Sequence, residues 1–424
     1  MRLLHTSDWH FGQHFMGKSR QAEHAALIAW LLAQVAAESI DAVIVAGDIF
    51  DTGTPPSYAR ELYHRLALGL ADAGVGLLLL GGNHDSPAVL GESRELLARL
   101  GVISLPALAE DAPPEQAVQV LHRRDGQPGC VVCALPYLRP RDLLSSQAGE
   151  SAADKQQALQ QAIAERYATV YAAARQKAGQ LAAELGSALP LVATGHLTTV
   201  GASRSESVRE IYVGSLEAFP TAAFPPVDYI ALGHIHRPQR VGGLEHIRYS
   251  GSPLPLSFDE AGQQKEMLCV DLDASGLQTV RPLPVPRFQP LQALRCSLAE
   301  LPKALATAVG QADAAGRLEL PGPPPLWLEI AISGESGLAD LPARVQAACA
   351  EWPVEVLRIR RLRETVAGIE NPARETLEEL TPDEVLKRRL AQETLAPEQL
   401  AELQARHRRV LDELSAEPTE TAGA

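Results

Sequence analysis

The sequence predicts an α/β fold built on parallel strands, and three observations carry that prediction. Short apolar runs at 42–46 and 77–80, with a first strand that begins at Leu3-Leu4, have the unbroken hydrophobicity of strands covered on both faces. The segments between them are amphipathic helices. Leu27, Leu31, Leu32 and Val35 form one stripe over 19–38, and Leu62, Leu66 and Leu70 another over 55–74. Strand, loop and helix follow one another three times in succession, which demands parallel pairing through right-handed crossovers.

The pattern changes at 117. Runs at 117–122 and 129–135 flank Arg123-Arg124-Asp125-Gly126, a hairpin signal. A long alanine-rich helix is expected over 154–185, then strands at 189–194, 229–232, 247–250 and 267–271. Four prolines in 281–290 read as a linker, so the first unit is drawn as 1–280. A small α/β unit is expected over 288–363: helix 298–315, strand 326–333, helix 338–351 and strand 354–363. The proline-rich 321–325 reads as a loop. After a second linker at 364–375, Thr381 offers an N-cap, Pro382 the first helical position and Glu384 a capping-box partner. Leu400, Leu403, His407, Val410 and Leu414 form the stripe of a further helix. The helical pair over 376–414 has no sheet of its own to cover, so it needs a partner surface. Residues 415–424 read as a disordered tail.

The chain of 424 residues is 46% hydrophobic and 21% charged, an ordinary globular balance, with a net charge of −14. That charge argues against coating nucleic acid through bulk electrostatics. It leaves room for a nuclease whose bound cations and local arginines make a positive site. Five cysteines imply no disulfide framework. Cys130 and Cys133 lie three apart on a strand, face opposite sides and read as packing rather than as a zinc or redox pair. No basic-then-apolar leader opens the chain, and the most apolar helical stretch, 27–37, is far short of a membrane span. The expectation is a soluble cytoplasmic protein with no membrane attachment. There is no phosphate-binding G-x-x-x-x-G-K-[ST] loop.

Chemistry gathers where the apolar strands end. Asp8 and His10 follow the first, Asp48 the second, Asn83 and His84 the third, His196 the strand at 189–194, and His234 with His236 the strand at 229–232. Glycine stands immediately before several of them: Gly47, Gly82, Gly195 and Gly233. Open α/β sheets place ligand sites beyond the carboxyl ends of their strands, so each exit delivers its side chain to one region. One Asp-x-His pair alone would say little; five such exits say much more. Asp8, His10, Asp48, Asn83, His196, His234 and His236 offer four imidazoles, two carboxylates and an amide oxygen. Mixed nitrogen and oxygen donors without thiolate suit Mn²⁺, Fe or Zn²⁺. They are too many for one ion with an open position and fit two ions, with a carboxylate such as Asp48 between them.

These words resemble the five motifs of the calcineurin-like metallophosphoesterases: Asp8-x-His10, Gly47-Asp48-x-x-Asp51, Gly82-Asn83-His84-Asp85, Gly195-His196 and Gly233-His234-x-His236. Longer stretches, 5–10, 83–86, 195–201 and 251–258, resemble the DNA-repair nuclease branch of that family. The resemblance implies a four-layer αββα core with a small α/β capping domain and C-terminal helices. It implies two Mn²⁺ ions, with Mg²⁺ or another divalent ion as the alternative. One ion would be held by Asp8, His10 and His236, the other by Asn83, His196 and His234, with Asp48 shared. His84 matches the catalytic histidine, and Asp51 a position able to orient that imidazole. The implied activity is double-strand 3′–5′ exonuclease and single-strand or hairpin endonuclease in DNA repair, recombination and replication. The implied partners are DNA and an ATPase, two copies of each protein, with a homodimer through the nuclease core. A phosphatase, a cyclic nucleotide phosphodiesterase or a non-enzymatic scaffold would share the fold. A basic strand, with Arg358 and Arg360 on one face and Arg361 and Arg363 on the other, favours a polymeric anion; the competing reading is a solvated edge.

Overall fold

Two six-stranded sheets pack face to face and carry everything that follows. The computed structural model describes residues 1–109, 111–143, 152–203, 205, 207–208, 218–314, 324–334, 340–362, 403 and 405–407. In the first sheet Arg2–Thr6, Ala42–Val45, Gly76–Leu80 and Val102–Leu105 run parallel in that order. Glu266–Asp273 and Gly276–Pro284 extend it antiparallel on the side of Arg2–Thr6. The second sheet is ordered Gln239–Val241, Leu244–Tyr249, Tyr229–Gly233, Leu191–His196, Pro128–Cys133 and Val118–His122.

Strand alternation explains the layers. Leu3, Ile44, Leu78 and Leu80 point from the first sheet into a shared core with Cys130, Val132, Val192 and Ala231 of the second. The opposite face of the first sheet, with Leu4, Val43, Val45, Leu77 and Leu79, is covered by the helices Gln21–Ala37 and Ser57–Asp72. The opposite face of the second packs Val131, Cys133, Ala193 and Ile230 on Ile163, Tyr167, Val170 and Ala174 of the helix Ala152–Leu185. The result is the expected four-layer αββα arrangement. Cys130 and Cys133 fall in different cores, and burial pushes both thiols up to about 12. No helix among the described residues is long and apolar enough to cross a membrane.

The proline run corrects one reading. The strand Gly276–Pro284 continues into the stretch read as linker, pairing Pro282 with Leu268 and Pro284 with Glu266. It is the outermost strand, where alternate residues turn their amide positions to solvent and proline loses no ladder hydrogen bond. Gln239–Val241, the short hairpin His14–Phe15 with Lys18–Ser19, and two longer strands went unread. Val102–Leu105 is four residues long and interrupted by Ser104, so it lacks the unbroken apolar run that marks Ala42–Val45. Leu291–Cys296 begins directly after Pro290 and pairs parallel with Leu326–Ile332. With Val354–Arg361 it makes a three-stranded parallel sheet, packed on the helices Leu301–Ala314 and Leu341–Cys349. Val354–Arg361 is an edge strand, but Arg358 and Arg360 both face Glu329 of its neighbour, at 3.2 and 3.7 Å. That face is therefore partly neutralised internally.

The chain divides into Met1–Arg363 and Glu364–Ala424. In the second unit residues 403 and 405–407 are helical. The rest of the helical pair expected over 376–414 and the tail 415–424 lie outside the described residues, as does Arg363.

Candidate metal centre

Backbone strain marks the site before any side chain is considered. Asp8, His10, Asp48 and His234 adopt left-handed conformations, with φ of 54°, 48°, 52° and 93°. Among the described residues only Met16 and Ser39 are other non-glycine examples. Each costs about 1 kcal/mol or more and persists only where its surroundings hold it. Here the holders are cross-loop hydrogen bonds: Asp8 N–H donates to Gly47 O at 3.0 Å and His10 N–H to Asp48 O at 3.1 Å. Glycines permit the crowding. Gly47 has φ +96°, and a Cβ there would lie 2.2 Å from His196 Nδ1; one on Gly82 would lie 2.1 Å from Asp48 Oδ1.

The predicted side chains converge. Asp8, His10, Asp48, His196, His234 and His236 are each at most 3% exposed, while Asn83 and His84 are half-buried at the mouth. Ligand-type atoms gather in three overlapping groups within 4.8 Å: Asp8, His10 and His236; His10, Asp48 and His84; Asp48, His196 and His234. Asp48 is the junction. Its Oδ2 lies 3.7 Å from His10 Nε2 and 3.3 Å from His196 Nε2. Asn83 Oδ1 sits 2.9 Å from His196 Nε2 and 3.2 Å from His234 Nδ1. The rings of His10 and His236 are 5.3 Å apart, as are those of His196 and His234.

The outer nitrogens are anchored. His196 donates Nδ1–H to Ala46 O at 2.8 Å, and His10 donates Nδ1–H to Asp51 Oδ1 at 3.1 Å. His84 donates Nδ1–H to the Asp51 carbonyl at 2.7 Å. Asp51 thus orients His84 through its backbone; its carboxylate serves His10. The position expected to orient the His84 imidazole is therefore in contact with it, through the main-chain carbonyl.

Electrostatically the centre draws in positive charge. Burial lowers His196, but Asp48 more than reverses this and lifts it to about 9. Burial raises Asp48, yet His196 and His10 hold it well below the usual carboxylate range. Burial also drives His234 well below the ordinary imidazole value, with the neighbouring His196 adding to it. His10 Nε2 and His234 Nε2 are buried without a hydrogen-bond partner in the protein. Such groups are costly unless something else pairs with them. Imidazoles, two of them with an Nε2 that meets no protein partner, beside two carboxylates and an amide oxygen are a donor set that fits divalent cations, whose charge would take the place of the ring protons.

Sequence reasoning overlooked four contributors. Asp85 accepts amide hydrogens from Ile49 (3.1 Å), Phe50 (2.9 Å) and Gly82 (2.8 Å), tying two strand-exit loops together. Burial and the nearby Asp48 raise it to about 6. Its motif position was visible, but its bonding to a distant loop was not. Ser207 and the buried Glu260 and Lys265 form a network behind His236, and nothing in their spacing signals it.

Comparison with known proteins places this geometry. Residues 1–238 match the calcineurin-like phosphoesterase family, and residues 287–394 match a family described as the type 5 capsule protein repressor C-terminal domain. SbcD, a component of the nuclease SbcCD, is 47% identical in its Escherichia coli strain K12 form over 405 residues, covering 95% of this chain and 96% of that protein. Its counterpart from Rhodobacter capsulatus is 35% identical, covering 90% and 91%. The one from Bacillus subtilis is 31% identical, covering 64% and 66%.

Proposed function

This chain belongs to the SbcD family within the calcineurin-like phosphoesterases, and from that premise we propose how its strand-exit site works as a metal-dependent DNA nuclease. The site takes two divalent cations, Mn²⁺ foremost. Asp8, His10 and His236 would hold one and Asn83, His196 and His234 the other, with Asp48 within reach of both groups. The observation that carries this reading is the position of Asp48 Oδ2 between His10 Nε2 and His196 Nε2, at 3.7 and 3.3 Å. Divalent cations at such a site supply activation of a water nucleophile and neutralisation of charge on the phosphate.

The chain's own groups do the rest. Asp8 is held by the His234 amide at 3.0 Å and by Ser7 Oγ at 2.6 Å, so its carboxylate is aimed before any ligand arrives. His84 stands at the mouth with its ring 4.6 Å from that of His10. Because the Asp51 carbonyl fixes the proton on Nδ1, Nε2 is the atom that gains and loses one. As the imidazolium, His84 can donate from Nε2 to the leaving oxygen of a phosphodiester.

The partner is an SbcC-type ATPase, two copies of each protein, with the homodimer made through the nuclease core and the helical pair 376–414 docking on the ATPase. Work on DNA ends and hairpins in the cytoplasm follows. The deciding assay compares linear, hairpin and closed circular DNA with Mn²⁺ or EDTA, with and without the ATPase. Metal-dependent cleavage of ends and hairpins is expected. Turnover of phosphomonoesters or cyclic nucleotides with no DNA cleavage would sink the reading. Deleting residues from 370 onward should leave a Mn²⁺-dependent nuclease that no longer co-purifies with the ATPase; unchanged binding would end the docking role.

A further inference from the structure

We propose that Glu260, acting through Ser207, is a positioning residue that fixes the tautomer of His236 and turns its Nε2 toward Asp8 and His10. This rests on the two-cation reading of the site.

The direction of each hydrogen bond is forced by chemistry. Glu260 is fully buried. Its Oε2 receives Lys265 Nζ at 2.7 Å and the Leu256 amide at 3.0 Å. Its Oε1 receives Ser205 Oγ at 2.7 Å and, in a shorter contact, Ser207 Oγ. A carboxylate paired with an ammonium has only acceptors to offer, so Ser207 must spend its single O–H on Glu260. Glu260 Oε1 itself lies 3.4 Å from His236 Nδ1, and the Ser207 oxygen is nearer, at 2.7 Å. With its hydrogen committed, that oxygen can only accept, so the proton of the neutral imidazole resides on Nδ1. The electron pair is left on Nε2, 4.0 Å from Asp8 Oδ1. Outer partners of this kind set ring orientation and donor basicity at a metal.

The mount is rigid. Lys265 Nζ also donates to the His236 carbonyl at 2.8 Å, holding ligand and brace on one cation. Glu260 ends the turn Phe258–Glu260, whose Phe258 packs 5.0 Å from Phe15; that ring stacks 5.7 Å from Trp327 of the three-stranded sheet. None of these residues belongs to the strand-exit motifs. His196 needs no such relay, since the Ala46 carbonyl performs the same task.

Two readouts test the relay, and neither is nuclease activity. Long-range ¹⁵N–¹H spectra of ring-labelled histidine, assigned with His236→Gln, report the tautomer without any metal. The Nδ1–H form is expected in the wild-type protein, and its share should fall in Ser207→Ala, where only the 3.4 Å contact with Glu260 Oε1 still favours it. A wild-type Nε2–H form would overturn the proposal. Mn²⁺ titration then reads the consequence. Ser207→Ala should bind one ion about 10- to 100-fold more weakly and leave the other unchanged, with an unaltered unfolding midpoint in EDTA. Ser207→Thr, which keeps the hydroxyl, should restore binding. Glu260→Gln can hand Ser207 an N–H and reverse the relay, so it should weaken the same ion. If Ser207→Ala and Glu260→Gln both bind two ions with wild-type affinity, the relay is wrong. If the wild-type tautomer is as expected but no ion binds, the relay stands and the two-cation reading falls.

Discussion

The two flanks of the site are braced by different means. On one, His10 and His236 pass their outer nitrogens to side chains, Asp51 Oδ1 at 3.1 Å and Ser207 Oγ at 2.7 Å. On the other, His196 leans on the Ala46 carbonyl at 2.8 Å. The backbone brace comes with the two sheets themselves, because Ala46 ends one apolar run and His196 ends a strand of the other sheet. The side-chain braces are separate additions to the fold and can be removed one atom at a time. One flank should therefore be tunable by substitution outside the ligand set, and the other should yield only to changes in the ligands or the strands.

The largest effect is expected where the flanks meet. Asp48→Ala should release both ions and lower DNA cleavage by at least about 100-fold, since removing the shared carboxylate leaves adjacent cations facing each other in a poorly screened pocket. Metal content after gel filtration checks it. Next comes His84→Ala, which should lower turnover by about 10²- to 10⁴-fold with both ions retained. An ion lost with the imidazole would make His84 a ligand instead.

A third brace lies between the flanks, on the strand Arg2–Thr6. His5 accepts from Tyr229 Oη at 2.8 Å and donates to Leu232 O at 3.2 Å, joining the two sheets. Burial lowers its pKa from 6.5 to about 3. The unfolded chain binds a proton below about pH 6.5 and the folded one only near 3. The contribution of His5 is therefore full above that range and lost as pH falls through it. Between about pH 7 and 4.5 the loss is about 2–3 kcal/mol. Denaturant titrations of the wild type and His5→Gln should show a shallower acid dependence in the variant. The smallest effect sharpens the comparison itself. Asp51→Asn should weaken one ion about 10-fold and leave turnover at saturating Mn²⁺ near wild type, because the backbone carbonyl that holds His84 remains.

This contrast also explains what was legible in the sequence. The first three parallel strands, their covering helices and the seven residues at the strand exits announce themselves, because buried parallel strands are unbroken apolar runs and their exits are fixed points. Gly276–Pro284 was hidden because proline usually ends strands, and only an edge position reveals that it need not. Leu291–Cys296 was hidden behind the same prolines. Asp85, Ser207 and Glu260 act across distances of 29 to 55 residues, and such pairings have no period to read. Asp51 was found by its motif, but spacing cannot tell which of its atoms meets His84, the carbonyl or the carboxylate.

The most direct measurement is the number of ions held by each flank. Protein stripped with EDTA and titrated with Mn²⁺ should bind two ions per chain by calorimetry and elemental analysis. His10→Ala should then retain one, and Asp48→Ala none. A single ion in the wild type, or equal losses in the two variants, would contradict a two-cation site joined by Asp48.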